Sequence, residues 1–187
     1  MYGYINGKIT KITPKYIIIE NNGIGYILIV SNPYNFKLNE SYKVFTYQYV
    51  REDIIDLYGF LTEDEKELFL KLISVSGIGP KSALSILASG SVNDIAEAIE
   101  AGNDTYLKKF PGIGTKASQQ IILDLRGKLN FENTQAIDNN SSKLEDVEAA
   151  LIALGYTKKE VAKILNKLDA SKDVGVLVKD ALKLMTK

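Results

Sequence analysis

"VSGIGPKSA" (Val75–Ala83) and "FPGIGTKA" (Phe110–Ala117) say nearly the same thing 35 residues apart. The likeness runs beyond the glycines. Leu72 matches Leu107, Val75 matches Phe110, Gly77 and Gly79 match Gly112 and Gly114, Ile78 matches Ile113, Lys81 matches Lys116, and Ile86-Leu87 matches Ile121-Ile122. Each copy reads as an apolar helix end, a turn of the form x-Gly-Ile-Gly-x-Lys, and a new amphipathic helix. The isoleucine can plug between the two helices. The glycines then leave two backbone amides facing outward at the start of the second helix. Unpaired N–H groups and the helix dipole make such a turn an anion site, and the lysine adds a point charge. Nothing in it reads a base edge, so it would grip a nucleic-acid backbone without sequence preference. A single copy would serve equally well as a connector between packed helices. Two copies with matched lysines favour binding, one for each strand of a duplex. A dinucleotide loop needs G-x-G-x-x-G after a strand, and here a helix precedes; the phosphate loop G-x-x-x-x-G-K-[ST] is absent.

Upstream of the repeat the pattern is that of strands. "YIIIE" (Tyr16–Glu20), "GYILIV" (Gly25–Val30), "YKVFTYQYV" (Tyr42–Val50) and "IDLYGF" (Ile55–Phe60) are β-branched and aromatic, and "NNGIG" (Asn21–Gly25) is a hairpin turn. About five short strands are expected within residues 1–62, closed on themselves because an open sheet would leave long edges. Thr62-Glu-Asp-Glu65 is a capping box that opens a helical segment, expected over 63–130. Within it Leu68, Leu72 and Val75 share one face, Ala83, Ile86 and Leu87 another, and Ile95, Ala98 and Ile99 a third. Residues 131–142, polar and rich in Asn and Ser, read as a flexible linker. Three short helices are expected over 143–187, with capping boxes at Ser142–Glu145 and Thr157–Glu160 and a terminating Gly155. So small a module has a small core.

Composition narrows the chemistry. The 187-residue chain has no cysteine and no histidine, which removes thiolate chemistry, Ser-His-Asp triads and His–metal sites. Its 23 basic and 23 acidic residues cancel, so binding to nucleic acid must rely on local clusters and oriented amides rather than bulk charge. No nucleotide-binding loop, cofactor motif or long apolar span is visible, and a cytoplasmic, cofactor-free protein is expected.

The repeat looks like a tandem helix-hairpin-helix. Together with "GIGY" (Gly23–Tyr26), "VREDIIDLYGF" (Val50–Phe60), "GIGPKSAL" (Gly77–Leu84), "FPGIGTKA" and "ALIALGY" (Ala150–Tyr156), the whole chain resembles the RuvA family of Holliday-junction-binding subunits. That resemblance implies an α+β multidomain protein: an OB-type barrel (1–62), a tandem helix-hairpin-helix domain (63–130), a linker (131–142) and a three-helix domain (143–187) that meets the RuvB ATPase. It implies a non-catalytic scaffold that binds four-way junctions as a homotetramer or octamer, with RuvC as a further partner. The candidate DNA contacts are Gly77, Gly79, Lys81 and Ser82 in the first turn, and Lys109, Gly112, Gly114, Thr115 and Lys116 in the second. By resemblance Glu52 and Asp53 form an acidic pin at the crossover, where carboxylates repel phosphates. Arg51 beside them either touches phosphate or pairs with those acids. Leu151, Leu154 and Tyr156 are the candidate partner contacts. The sequence departs from the family at Thr115, where relatives often carry a basic residue, and at "ASQQ" (Ala117–Gln120), so weaker binding with a shallower salt slope is expected.

Overall fold

The computed structural model describes residues 1–129, 139–165, 167–169 and 172–185. The chain divides into two compact units, Met1–Phe131 and Glu132–Lys187.

In the first unit, strands β1 (Tyr4–Ile12), β2 (Ile17–Asn21), β3 (Ile24–Val30), β4 (Ser41–Val50) and β5 (Ile55–Phe60) close a barrel in the order β1-β2-β3-β5-β4, with β3 and β5 parallel. This is an OB-type barrel, as expected from the run of short strands. Its core is Ile5, Ile9, Ile17, Ile19, Leu28, Val30, Phe36 and Val44. The turn in "NNGIG" is the two-residue loop Asn22-Gly23, with φ of 49° and 81°. Positive φ at both positions matches the twist of the flanking strands, which is why Asn-Gly suits it.

The first strand carries little of the usual signal. Of its nine residues only Ile5 and Ile9 are buried. Between them lies Gly7, where a Cβ would run into the Glu20 carbonyl of β2. The strand serves two neighbours: Tyr4–Lys8 pair with β4 and Lys8–Ile12 with β2, and a register shift between Ile9 and Lys11 bends it round the barrel.

Thr62 caps α1 (Glu63–Ser74), its hydroxyl accepting from the Glu65 amide at 3.1 Å. Glu65 returns the bond to the Leu61 amide at 2.9 Å, one residue earlier than the simple capping box would have it. Such a cap contributes about 1 kcal/mol. Phe69 on α1 joins helix to barrel. Its ring lies 5.0 Å from Phe60, 5.1 Å from Tyr58 and 6.1 Å from Tyr47, centroid to centroid. Helices α2 (Pro80–Ser89), α3 (Val92–Glu100), α4 (Asp104–Leu107) and α5 (Thr115–Leu125) complete this unit. The apolar faces read from the sequence are buried, all but Ala98 in one core with Leu107, Phe110 and Ile121, and only Leu87 is half-exposed.

The second unit holds α6 (Asn139–Ala153), α7 (Lys158–Leu165) and α8 (Val174–Met185) around Val147, Leu151, Val161, Ile164, Leu177 and Ala181. Residues 131–138 of the expected linker lie outside the described residues, and 139–142 are already helical. The expected capping box at Ser142–Glu145 lies outside the described side chains. Gly155, at φ 98°, ends α6 as expected. The Tyr156 amide donates to the Leu151 carbonyl at 3.2 Å and the Gly155 amide to Ile152 at 2.9 Å, the paired bonds of a Schellman motif. No helix among the described residues is long and apolar enough to cross a membrane.

Candidate nucleic-acid interface

The two Gly-Ile-Gly turns have one backbone. Gly77 and Gly112 sit at φ 84° and 83°. Gly79 and Gly114 follow as helix N-caps at φ −97°, ψ 173° and φ −90°, ψ −179°. The Ile78 amide donates to the Val75 carbonyl, and the Ile113 amide to the Phe110 carbonyl, both at 3.1 Å. Ile78 and Ile113 are buried in the helical core, the plugs that the spacing suggested.

This geometry leaves amides over. Among the described residues the N–H groups of Gly79, Lys81 and Ser82 find no acceptor, and neither do those of Gly114, Thr115, Lys116 and Ala117. Pro80 has no N–H to offer, so the second turn presents one more amide than the first, where Thr115 replaces the proline. The two turns also lie close together: a Cβ on Gly112 would stand 3.8 Å from the Ser82 hydroxyl oxygen.

The two glycines of each turn have different reasons to be glycine. Positive φ requires the first. The second has ordinary extended backbone, and a Cβ on Gly79 or Gly114 would meet nothing within 4 Å. Neither steric room nor backbone angle demands glycine at either N-cap position. The bare N-cap leaves the free amides open to the approach of an anion.

Lys81 and Lys116 are exposed and make no ion pair among the described residues. Lys109 is exposed too, its ammonium 5.8 Å from the Tyr106 ring centroid, whereas its neighbour Lys108 is paired with Asp104 at 2.8 Å. Thr115 leads α5 with its side chain in solvent, while Gln120 is tied along the helix to Asp124 at 2.9 Å. The second turn thus offers more amides and, among the described residues, no unpaired cation beyond Lys116 and Lys109.

Glu52 and Asp53 occupy the tip of the β4–β5 hairpin, exposed, in a two-residue loop closed by the Arg51 amide on the Ile54 carbonyl at 2.8 Å. Arg51 does not pair with them. Its Nε donates to the Tyr49 hydroxyl at 3.0 Å and its guanidinium carbon stands 4.7 Å from the Tyr49 ring centroid. Tyr49 packs edge-on to Tyr58 at 6.3 Å. Burial, reinforced by Asp56, pushes the Tyr58 phenol up to about 12. The sequence shows Tyr49 only as one of the alternating aromatics of its strand, Phe45, Tyr47 and Tyr49; its hold on Arg51 follows from residues two apart on a strand sharing a face.

The partner candidates separate by burial. Leu151 is wholly buried in the core of the second unit, so it can support a contact surface but not form one. Leu154 is 60% exposed. Tyr156 is half-buried and lines a cleft of about 210 Å³ with Glu160, Lys163, Ile164 and Met185.

Models of three families match the chain in order: the RuvA N-terminal domain over residues 1–59, a SAM-like helix-hairpin-helix tandem over 69–128 and the RuvA C-terminal domain over 142–186. The Holliday junction branch migration complex subunit RuvA of Acholeplasma laidlawii is 53% identical, with 100% of both chains covered. The chain belongs to the RuvA family. Further RuvA subunits so named, from Listeria monocytogenes and Anoxybacillus flavithermus, are 47% identical over 100% of both chains and 48% identical over 88% of both. The barrel, the twin turns and the C-terminal helices are thus the layout of the RuvA family, and the amide-rich turns fall inside its helix-hairpin-helix tandem.

Proposed function

We propose that this chain binds four-way DNA junctions, holds their arms open and presents them to a RuvB-type ATPase for branch migration. The observation that carries the reading is the pair of turns with matching backbone angles, free amides, unpaired lysines and a bare N-cap glycine each. Relatives that match it end to end are named as branch migration complex subunits. Each turn holds one backbone of a duplex arm through amide–phosphate hydrogen bonds, with Lys81 or Lys116 adding charge. Gly77, Ser82, Lys109, Gly112 and Thr115 complete the two grips. Glu52 and Asp53, unneutralised at a hairpin tip, repel phosphates at the crossover and disfavour a continuous duplex lying across it. A four-fold assembly of chains, single or stacked in pairs, supplies one such set per arm. The C-terminal unit engages the motor through the surface around Leu154 and Tyr156, supported from beneath by Leu151. The chain itself is a non-catalytic cytoplasmic scaffold without a cofactor, and a RuvC-type resolvase acts on the same complex.

The test is a binding comparison between a four-way junction and a linear duplex of the same arm sequence. Preference for the junction is expected, and equal affinity refutes the reading. Lys81→Glu combined with Lys116→Glu should lower junction affinity by more than tenfold. Unchanged binding would make the turns mere connectors.

A further inference from the structure

Arg51 is the cation nearest in sequence to the acidic tip, yet it is turned away from it. No carboxylate lies within ion-pair distance of its guanidinium among the described residues. Tyr49 holds it instead, through the 3.0 Å bond at Nε and the ring face beneath the guanidinium. That brace is fixed in turn, since Tyr49 rests on Tyr58, which is buried and donates to Asp56 at 3.4 Å. The Nη hydrogens of Arg51 stay free and face solvent, in the planar fork that suits a phosphate.

The position of that fork gives it a use. Arg51 and Tyr49 form one wall of a cleft of about 310 Å³ whose opposite side includes Ser74, Ile78 and Pro80. Ile78 and Pro80 belong to the first Gly-Ile-Gly turn. A DNA backbone seated on the Gly79 and Lys81 amides and continuing toward the Glu52–Asp53 tip therefore meets Arg51 on the way. We propose that Arg51, braced by Tyr49, is a phosphate contact for the strand that leaves the first turn at the branch point. Tyr49 is a positioning residue, which keeps this cation on the DNA path and off the two neighbouring carboxylates. The tip so retains its full negative charge while the cleft beside it is cationic, and a strand is drawn along one side and repelled at the end. This deepens the junction-binding reading and rests on it.

The test uses the full-length chain, fluorescence anisotropy, and a labelled four-way junction beside a linear duplex, each over a salt series. Arg51→Ala is expected to weaken junction binding on the order of tenfold, as loss of a charged hydrogen-bonded contact does. Its slope of log K against log salt should flatten by about one unit for each Arg51 engaged. Duplex binding should change less than about twofold, because a linear arm ends its contact at the turns. Arg51→Lys should recover the slope but only part of the affinity. Tyr49→Phe, which keeps the ring and removes the acceptor, should fall between wild type and Arg51→Ala on the junction alone. Light scattering on each variant shows whether assembly is kept. Four results overturn the inference: Arg51→Ala with unchanged junction affinity and slope, equal losses on junction and duplex, tighter junction binding, or a loss that accompanies dissociation of the assembly. A wild-type protein that does not prefer the junction fails the functional reading itself, so the two failures are distinguishable.

Discussion

Replacing Gly77 and Gly79 by alanine, one at a time, separates what the turn needs to fold from what it needs to bind. At Gly77 the backbone has φ 84°. An L-residue there costs about 1–2 kcal/mol, and alanine recovers about 0.4–1 kcal/mol by restricting the unfolded chain. The net loss should be about 1 kcal/mol. At Gly79 the backbone is extended and the added Cβ meets nothing within 4 Å. Alanine caps a helix less well than glycine, by about 0.5–1 kcal/mol, and the same unfolded-state term of about 0.4–1 kcal/mol offsets it. Stability should therefore stay within about 0.5 kcal/mol of wild type.

Binding should show the opposite order. The new methyl at Gly79 stands beside the free Gly79 and Lys81 amides and keeps a phosphate from reaching them. Loss of one amide–phosphate hydrogen bond is worth about 1.5–3 kcal/mol, on the order of tenfold to a hundredfold in affinity. Urea titration followed by far-ultraviolet circular dichroism gives the first quantity and anisotropy on a labelled junction gives the second. Gly112→Ala and Gly114→Ala repeat the experiment inside the same molecule. A Gly79→Ala protein that binds junctions like wild type, or that loses as much stability as Gly77→Ala, refutes the division of labour.

Thr115→Lys restores a cation to the second turn without disturbing its hydrogen bond from Ser118, which uses the Thr115 carbonyl. It should tighten junction binding and steepen the salt slope by about 0.9 for each phosphate newly neutralised, and an unchanged slope would show that this position does not face DNA. Phe69→Ala removes the ring on which Tyr47, Tyr58 and Phe60 converge. It should cost about 3–5 kcal/mol in urea melts of the first unit, and a loss below about 1 kcal/mol would mean that the aromatic cluster does not weld barrel to helices. In the second unit, the Lys172 hydrogen bond at 2.9 Å, and then its charge, hold Asp180 below its ordinary 3.8. A depressed carboxylate stabilises above that unfolded value, and the contribution is lost as pH falls through the still lower folded pKa. Stability of this unit should therefore decline as pH falls below about 4, and Asp180→Asn should flatten that limb. The same bond raises Lys172 above 10.5, so its contribution is present below that pH and fades as pH rises past the folded value. A wild-type acid limb identical to that of the variant would refute the assignment.

The twin turns were legible because their backbone leaves marks that only certain residues satisfy: glycine at positive φ, and an apolar residue between the glycines to fill the core. The 35-residue offset then aligned the lysines as well. The first strand left no such mark, since only Ile5 and Ile9 of it are buried and the close approach of β2 replaces an apolar residue with Gly7. Leu151 and Leu154 look alike in "ALIALGY". Leu151 lies inside α6 and in the core, whereas Leu154 lies past its last residue, Ala153, where the chain turns at Gly155, and stays in solvent; no composition argument separates them. The two glycines of each turn are equally alike in sequence. Only the dihedral angles and the empty space around Gly79 and Gly114 separate them: the first sits at positive φ, and the second has ordinary backbone with open space around it. Arg51 is the instructive case. Sequence offered it two anionic partners, an adjacent carboxylate or a phosphate, and left the choice between them open. The structure adds a third group, Tyr49, two residues back on the same strand face, and a fixed brace beats two exposed carboxylates whose pairing in water is worth about 0–1 kcal/mol. The charge pattern of this surface is therefore set by an uncharged residue, and the alternation of a β-strand is what puts that residue in reach.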